Sequence, residues 1–163
     1  ADVAIQASLT GHLVLSTLHT NDAPSALTRL VDMGIEPFLV SSSLIGVLAQ
    51  RLVRLICDKC KEQYEPNKEV LKDLDIKPGT IFYHGKGCAK CQGTGFLGRT
   101  AAFELLVVDK EIRGMVDSKN SADEIKQKAV ELGMKTLFDD ALAKAMAGLT
   151  TLEEVLRVTE VER

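Results

Sequence analysis

The chain has 163 residues, 45% of them hydrophobic and 26% charged, enough for one good core or for one core with a small satellite module. Twenty basic residues against 23 acidic leave a net charge of −3, which gives no support for a nucleic-acid footprint, normally a basic patch or a high pI. The most apolar stretch, 38–56, is interrupted by Gln50, Arg51 and Arg54, and no secretory signal opens the chain, so no membrane span and a cytoplasmic location are expected.

The opening "ADVAIQASLTG" reads as a helix, with Ala4, Ala7 and Ser8 at helical spacing and Gly11 as its C-terminal cap. It starts abruptly and without methionine, as a piece of a longer protein would. "HLVLSTL" (12–18) is a short apolar run between Gly11 and "HTND". Its length and flanks predict a strand, and its lack of alternation predicts burial on both faces, as in a parallel sheet. "DAPSALTRLVDMG" predicts a helix with Asp22 at the cap, Pro24 in the first turn, a buried stripe of Ala26, Leu27, Leu30 and Val31, and Gly34 at its end. "EPFLVSSSLIGVLAQRLVRLI" reads as a second helix with a broad apolar face. Strand, helix, helix makes an α/β core.

Composition changes between residues 57 and 98. Periodicity fades, and all four cysteines lie here, as "CDKC" (57–60) and "CAKC" (88–91) with 27 residues between the pairs. Two such knuckles brought together make a tetrahedral four-thiolate site, the usual structural zinc arrangement, with no open coordination position. Iron would fit the same ligands. Disulfides do not suit a cytosolic chain, and two redox pairs would be unusual. The separation is longer than in a short ribbon, so the intervening residues must carry structure of their own. His84 is surplus to a full shell and reads as a surface histidine. Gly93, Gly95 and Gly98 satisfy GxGxxG, but this stretch follows a knuckle and precedes a strand, which excludes a dinucleotide fingerprint.

"RTAAFELLVV" (99–108) returns to strand character, and the remainder is helical: "DKEIRGMVDS", "SADEIKQKAVELG", "TLFDDALAKAMAGL" and "TLEEVLRVTE". Ser121 with Glu124 is a capping-box pattern, and Thr136 with Asp139 and Thr151 with Glu154 are looser versions.

Two histidines bracket the first apolar run. His19 stands at the carboxyl end of the expected strand, where ligands of an open parallel sheet bind. His12 stands at the other end, roughly 23 Å away if the run is extended. From position alone, His12 reads as structural and His19 as facing a site.

"AIQASLTGHLVLSTLHTNDAPSALTRLVDMG" closely resembles the His box of the secretion ATPase superfamily, hexameric motors of type II secretion and type IV pilus assembly. "GVLAQRLVRLICDKC", "GFLGRTAAFELL" and "GMKTLFDDALAKAMAGLTTLEEVLRVT" resemble further blocks of the same family, so the resemblance covers nearly the whole chain, and the cysteine module resembles the secretion and pilus-extension branch. The resemblance implies the C-terminal part of a RecA-like P-loop ATPase core in residues 1–56, a zinc-binding insert in 57–98, a strand returning to the core in 99–108 and a helical subdomain in 109–163. It implies that His12 and His19 couple the γ-phosphate of ATP to domain motion, that Thr17 and Thr20 neighbour that path, that Arg29 and Arg51 are basic positions near a subunit interface, and that Cys57, Cys60, Cys88 and Cys91 ligate zinc. A homo-hexamer, ATP with Mg2+, an inner-membrane platform protein and a cytoplasmic adaptor follow for the full-length motor, which would lie peripheral to the inner membrane. The chain departs from the family in having no G-x-x-x-x-G-K-[ST] phosphate loop and no acidic magnesium-binding segment, so it is not expected to hydrolyse ATP alone. The alternative is a free-standing zinc-binding interaction module, since "CAKCQGTG" also resembles the knuckle of DnaJ-related co-chaperones, although those carry four copies and lack the α/β opening.

Overall fold

The computed structural model describes residues 1–159, in the order α1 (Asp2–Leu9), α2 (Pro24–Asp32), α3 (Pro37–Ser43), β1 (Gly46–Ile56), β2 (Lys61–Tyr64), α4 (Lys68–Asp73), β3 (Phe82–Gly85), β4 (Phe96–Val107), α5 (Lys110–Asp117), α6 (Ala122–Glu131), α7 (Leu137–Met146) and α8 (Leu152–Thr159). Two compact units form, residues 1–50 with 104–136 and residues 51–103 with 137–163. β1 pairs with β4 and β2 with β3. Gly46 lies against Leu106 and Gly98 against Leu55, so β1 and β4 run antiparallel.

In the first unit the helices are set by local chemistry. Pro24 occupies the first turn of α2 and Asp22 accepts the Ser25 N–H at 2.9 Å, so the expected cap acts from one residue before the N-cap, Ala23. Asp109 accepts from the Glu111 and Ile112 amides at the head of α5. Ser121 and Glu124 form the expected capping box of α6. The apolar stripes of these helices meet Leu106 and Val108 in one core containing Leu27, Leu30, Ile35, Val40, Ile112, Val116, Ile125 and Ala129. Full burial of a side chain such as Leu27 stabilises the unit by roughly 1.5–3 kcal/mol.

Two expectations fail here. Residues 12–18 form no strand: the segment is irregular, and Leu13 and Leu15 are 78% and 89% exposed. A strand is made by the neighbours that accept and donate its ladder hydrogen bonds, and no described residue supplies them to this segment. The single helix expected over 36–56 is instead α3 followed by β1. The hydroxyls of Ser41, Ser42 and Ser43 bond back to the carbonyls of Phe38 and Leu39, a competition that weakens a helix, and Leu44 turns extended at φ −84°, ψ 133°. Beyond Gly46 the side chains alternate, with Leu48, Gln50, Leu52 and Arg54 exposed and Val53 buried, which is the two-residue period of a strand.

In the second unit α7 and α8 pack through Leu137, Ala141, Ala145, Leu152 and Val155, all buried, and Val53, Leu71 and Phe82 are buried in the same unit. The chain between α7 and α8 is tied to the end of β1: Ile56 N–H donates to Leu149 O at 2.9 Å and Thr150 Oγ1 to Arg54 O at 2.7 Å. The Thr151 cap is present, its Oγ1 accepting from Glu154 N–H at 3.2 Å. Glu154, 1% exposed, receives Arg54 Nη2 and Arg157 Nε on Oε1, both at 2.7 Å, and the Arg54 N–H and Arg157 Nη2 on Oε2 at 3.0 and 2.9 Å. Burial opposes its ionisation, but the Arg157 and Arg54 donors outweigh that and hold the carboxyl down at about 2.

Candidate functional site

The cysteine centre is assembled by short-range backbone geometry. β2 and β3 pair antiparallel, with Lys61 opposite Gly85 and Tyr64 opposite Phe82, which brings Cys60 beside the stretch that leads to Cys88. Lys86 N–H then donates to Cys60 O at 2.9 Å, and Cys57 N–H to Gly95 O at 2.9 Å, so the two knuckles are bound to each other. The crossing is possible only without side chains: a Cβ on Gly85 would stand 2.0 Å from Gly95 O. The segment between the knuckles carries β2, α4 and β3, as its length required.

All four sulfurs lie within 4.8 Å of one another. Cys57 and Cys88 are 3.9 Å apart, Cys60 and Cys91 3.8 Å, and Cys88 and Cys91 3.7 Å, far beyond a sulfur–sulfur bond. A tetrahedron with metal–sulfur bonds of about 2.3 Å has edges of about 3.8 Å, so the donor set fits a four-coordinate thiolate metal. Backbone amides aim at the sulfurs: Gly87 N–H at Cys60 (3.3 Å), Cys88 N–H at Cys91 (3.2 Å) and Gly95 N–H at Cys91 (3.3 Å). Burial disfavours the Cys91 thiolate, but the Cys88 and Gly95 amides and the neighbouring thiols lower its pKa, whereas at Cys60 burial and the neighbouring thiols outweigh the Gly87 amide and raise it. His84 takes no part and is not a simple surface residue: it is half-buried, its ring edge-on to Tyr64 with centroids 5.3 Å apart.

The two histidines lie on one loop of the first unit. Gly11, at φ 94°, closes α1, and His12 N–H returns to Ala7 O at 3.1 Å. His12 Nδ1 lies 3.2 Å from Thr10 Oγ1 and 3.3 Å from Ala7 O, so its ring is held locally. His19 is exposed and its ring makes no hydrogen bond among the described residues, and Thr17 is exposed beside it in sequence. Thr20 Oγ1 donates to Asp22 O at 3.0 Å. Arg29 is exposed on α2 in the first unit, and Arg51 is half-buried on β1 in the second.

The sequence reading missed the burial of two acids, Glu104 altogether and Glu154 beyond its place in the Thr151 cap. Glu104 and Glu154 are 0% and 1% exposed. Glu104 sits between Ala102 and Leu106 at inward positions of β4, and a lone acid at that parity in an apolar strand was the available signal.

Fold and site define an α/β chain that carries a four-thiol metal-type centre on a unit separate from its histidine loop. It belongs to the type II/IV secretion system protein family, whose model matches residues 1–157. It is 54% identical over 163 residues to the type IV pilus assembly ATPase PilB of Thermus thermophilus, covering 98% of this chain and 18% of that protein. It is 52% identical over 162 residues to the type II secretion system ATPase E of Vibrio cholerae, covering 98% of this chain and 32% of that protein. The chain thus spans less than a third of the length of these relatives. Among solved structures, the pilus retraction motor PilT with bound ADP matches with TM-score 0.62 and 24% identity over 96% of this chain and 35% of that one. The Legionella pneumophila ATPase DotB matches with TM-score 0.60 and 20% identity over 98% of this chain and 35% of that one. These likenesses show a shared fold.

Proposed function

We propose that the chain is the C-terminal part of a hexameric secretion or pilus-assembly motor that hydrolyses ATP in its full-length form. The observation that carries this reading is the family match over residues 1–157 to proteins named as pilus-assembly and secretion ATPases. Residues 1–56 and the strand 99–108 belong to a RecA-like core, 57–98 to the metal module and 109–163 to a helical subdomain. The exposed run 12–18, apolar and without a ladder, becomes an inner strand of that core when the rest of the sheet is supplied by other parts of the full-length protein.

In this reading His19 meets the γ-phosphate of ATP, and its ring, unengaged among the described residues, is available to do so. His12 acts from the far end of the same run, with Thr17 and Thr20 lining the path, and Arg29 and Arg51 face a neighbouring subunit. ATP with Mg2+ supplies the reacting phosphoryl group, and the protein's contribution is positioning and charge stabilisation. Loss of phosphate contact at the loop biases the domain motion that moves a membrane platform protein and, through it, pilin-like subunits. The motor is cytoplasmic and reaches the inner membrane through that platform and a cytoplasmic adaptor; no helix among the described residues is long and apolar enough to cross a membrane.

Cys57, Cys60, Cys88 and Cys91 hold one structural zinc ion, whose chemistry is to cross-link the two knuckles. The edge lengths support a tetrahedral metal, and four thiolates leave no position for substrate. The test is ATP hydrolysis by the full-length protein, by its His19→Ala variant and by this chain alone. The expected order is active, strongly slowed and inactive. A His19→Ala protein with the parental rate, or hydrolysis that co-purifies with this chain after contaminants are removed, would overturn the assignment.

A further inference from the structure

The histidine loop has few constraints of its own. Its side chains from Leu13 to His19 are exposed or half-exposed, and it belongs to no ladder. Its placement is therefore set by its anchors, and at the His19 end these are concentrated on six residues. Thr20 Oγ1 donates to Asp22 O at 3.0 Å. Ser25 N–H donates to Asp22 Oδ1 at 2.9 Å, and Lys126 Nζ of α6 donates to Asp22 Oδ2 at 3.3 Å. Ala23 N–H donates to Oε1 of Glu104, 81 residues away on β4, at 2.8 Å.

Glu104 is the unusual member. Ala23 and Glu104 are both 0% exposed, so the bond joins two groups withdrawn from water. Burying a carboxylate is costly unless it is well bonded, and its inward position between Ala102 and Leu106 would suit an apolar residue. A hydrogen bond between two groups withdrawn from water has no solvent to replace either partner, so breaking it leaves a buried donor unsatisfied. The result is a stiff link from the start of α2 to a strand, with Asp22 and Lys126 linking the same point to α6. Only three residues of chain separate Ala23 from His19, so a shift of Ala23 is passed to the histidine.

We propose that Glu104 is a positioning residue for His19, acting through Ala23 together with the Asp22–Lys126 pair; this rests on the role given to His19 above. Glu104 touches no reacting group. It sets where the loop stands when the nucleotide is bound, and a small misplacement of a catalytic group is enough to slow chemistry.

The experiment uses the full-length ATPase with His19→Ala, Glu104→Ala, Glu104→Gln, Lys126→Met and the double variant His19→Ala/Glu104→Ala. Each is first checked for metal content and for amide exchange outside residues 20–25. Glu104→Ala is expected to lower kcat roughly tenfold or more while KM for ATP changes less than about twofold, the pattern of a lost transition-state contribution. Glu104→Gln keeps an acceptor oxygen and should recover most of the loss. The double variant should be no slower than His19→Ala, because both act on one element. A folded Glu104→Ala protein with unchanged kcat, or losses that multiply in the double variant, would overturn the proposal. If Glu104→Ala does not fold, Lys126→Met, on the rim of the same clamp, must lower kcat at constant KM, and an unchanged kcat there also overturns it. A slow His19→Ala protein beside a fully active Glu104→Ala protein removes the positioning role alone; a fully active His19→Ala protein removes the reading of His19 and this proposal with it.

Discussion

Replacing Glu154 by Gln removes the charge that four donors converge upon. Its carboxyl is held at about 2 against an ordinary 4.5, despite burial, by Arg157 and Arg54. At about 1.4 kcal/mol per pKa unit this corresponds to roughly 3 kcal/mol of stabilisation. Both arginine side chains are half-exposed, at 47% and 57%, so solvent screening brings the expected figure to about 2 kcal/mol. The sign follows from the lowered pKa. The contribution is complete above the unfolded value near 4.5, and it is lost as pH falls from there through about 2. Less than half should be left at pH 3. Urea unfolding of this chain and of Glu154→Gln, followed by circular dichroism at pH 7, 5, 4 and 3, measures the gap between them. Metal release on acidification affects both proteins and drops out of the difference. The expected gap is about 2 kcal/mol at pH 7 and 5 and narrows steadily below pH 4.5. A gap that stays constant from pH 7 to 3, or one below about 0.5 kcal/mol at pH 7, would refute the argument that the arginines hold this carboxylate.

Metal analysis of the purified chain should find one zinc per molecule, and Cys88→Ser should lower that occupancy and release amide protection in residues 57–98 before residues 1–50; protection unchanged by a chelator would exclude a structural metal. Gly85→Ala should abolish metal retention as completely as loss of a ligand, because its Cβ would stand 2.0 Å from Gly95 O, backbone that cannot rotate away; a stable, metal-loaded Gly85→Ala chain would contradict the crossing geometry. Ser121→Ala should cost about 1 kcal/mol through loss of the capping box at α6, measured in the same urea titration.

Local signals were legible where the answer depends on neighbours a few residues away. Among the helices from 110 onward, Ser121 and Thr151 act as the caps their positions suggest. The four-cysteine cluster was legible because CxxC is a geometry as well as a composition, and the Gly-rich stretch around Cys91 was needed for the backbone to cross at Gly85 and Gly95. The break between α3 and β1 was less legible. An apolar face every three or four residues and an alternating pattern coincide in "GVLAQRLVRLI", and the serines and Gly46 were the only local marks of the change.

By itself, then, the sequence determined the cysteine set, the caps, the α/β character and the family that residues 1–157 match. Tertiary structure decided the rest, for one physical reason: a strand, a buried acid and a four-cysteine cluster are completed by partners distant in the chain. Residues 12–18 carry strand chemistry and form no strand without a ladder. Glu104 and Glu154 are buried anchors bonded to groups distant in the chain, Ala23 81 residues from the first and Arg54 100 residues from the second. Only the paired β2 and β3 bring Cys60 to Cys91, closing at 3.8 Å a gap that the sequence could mark but not span.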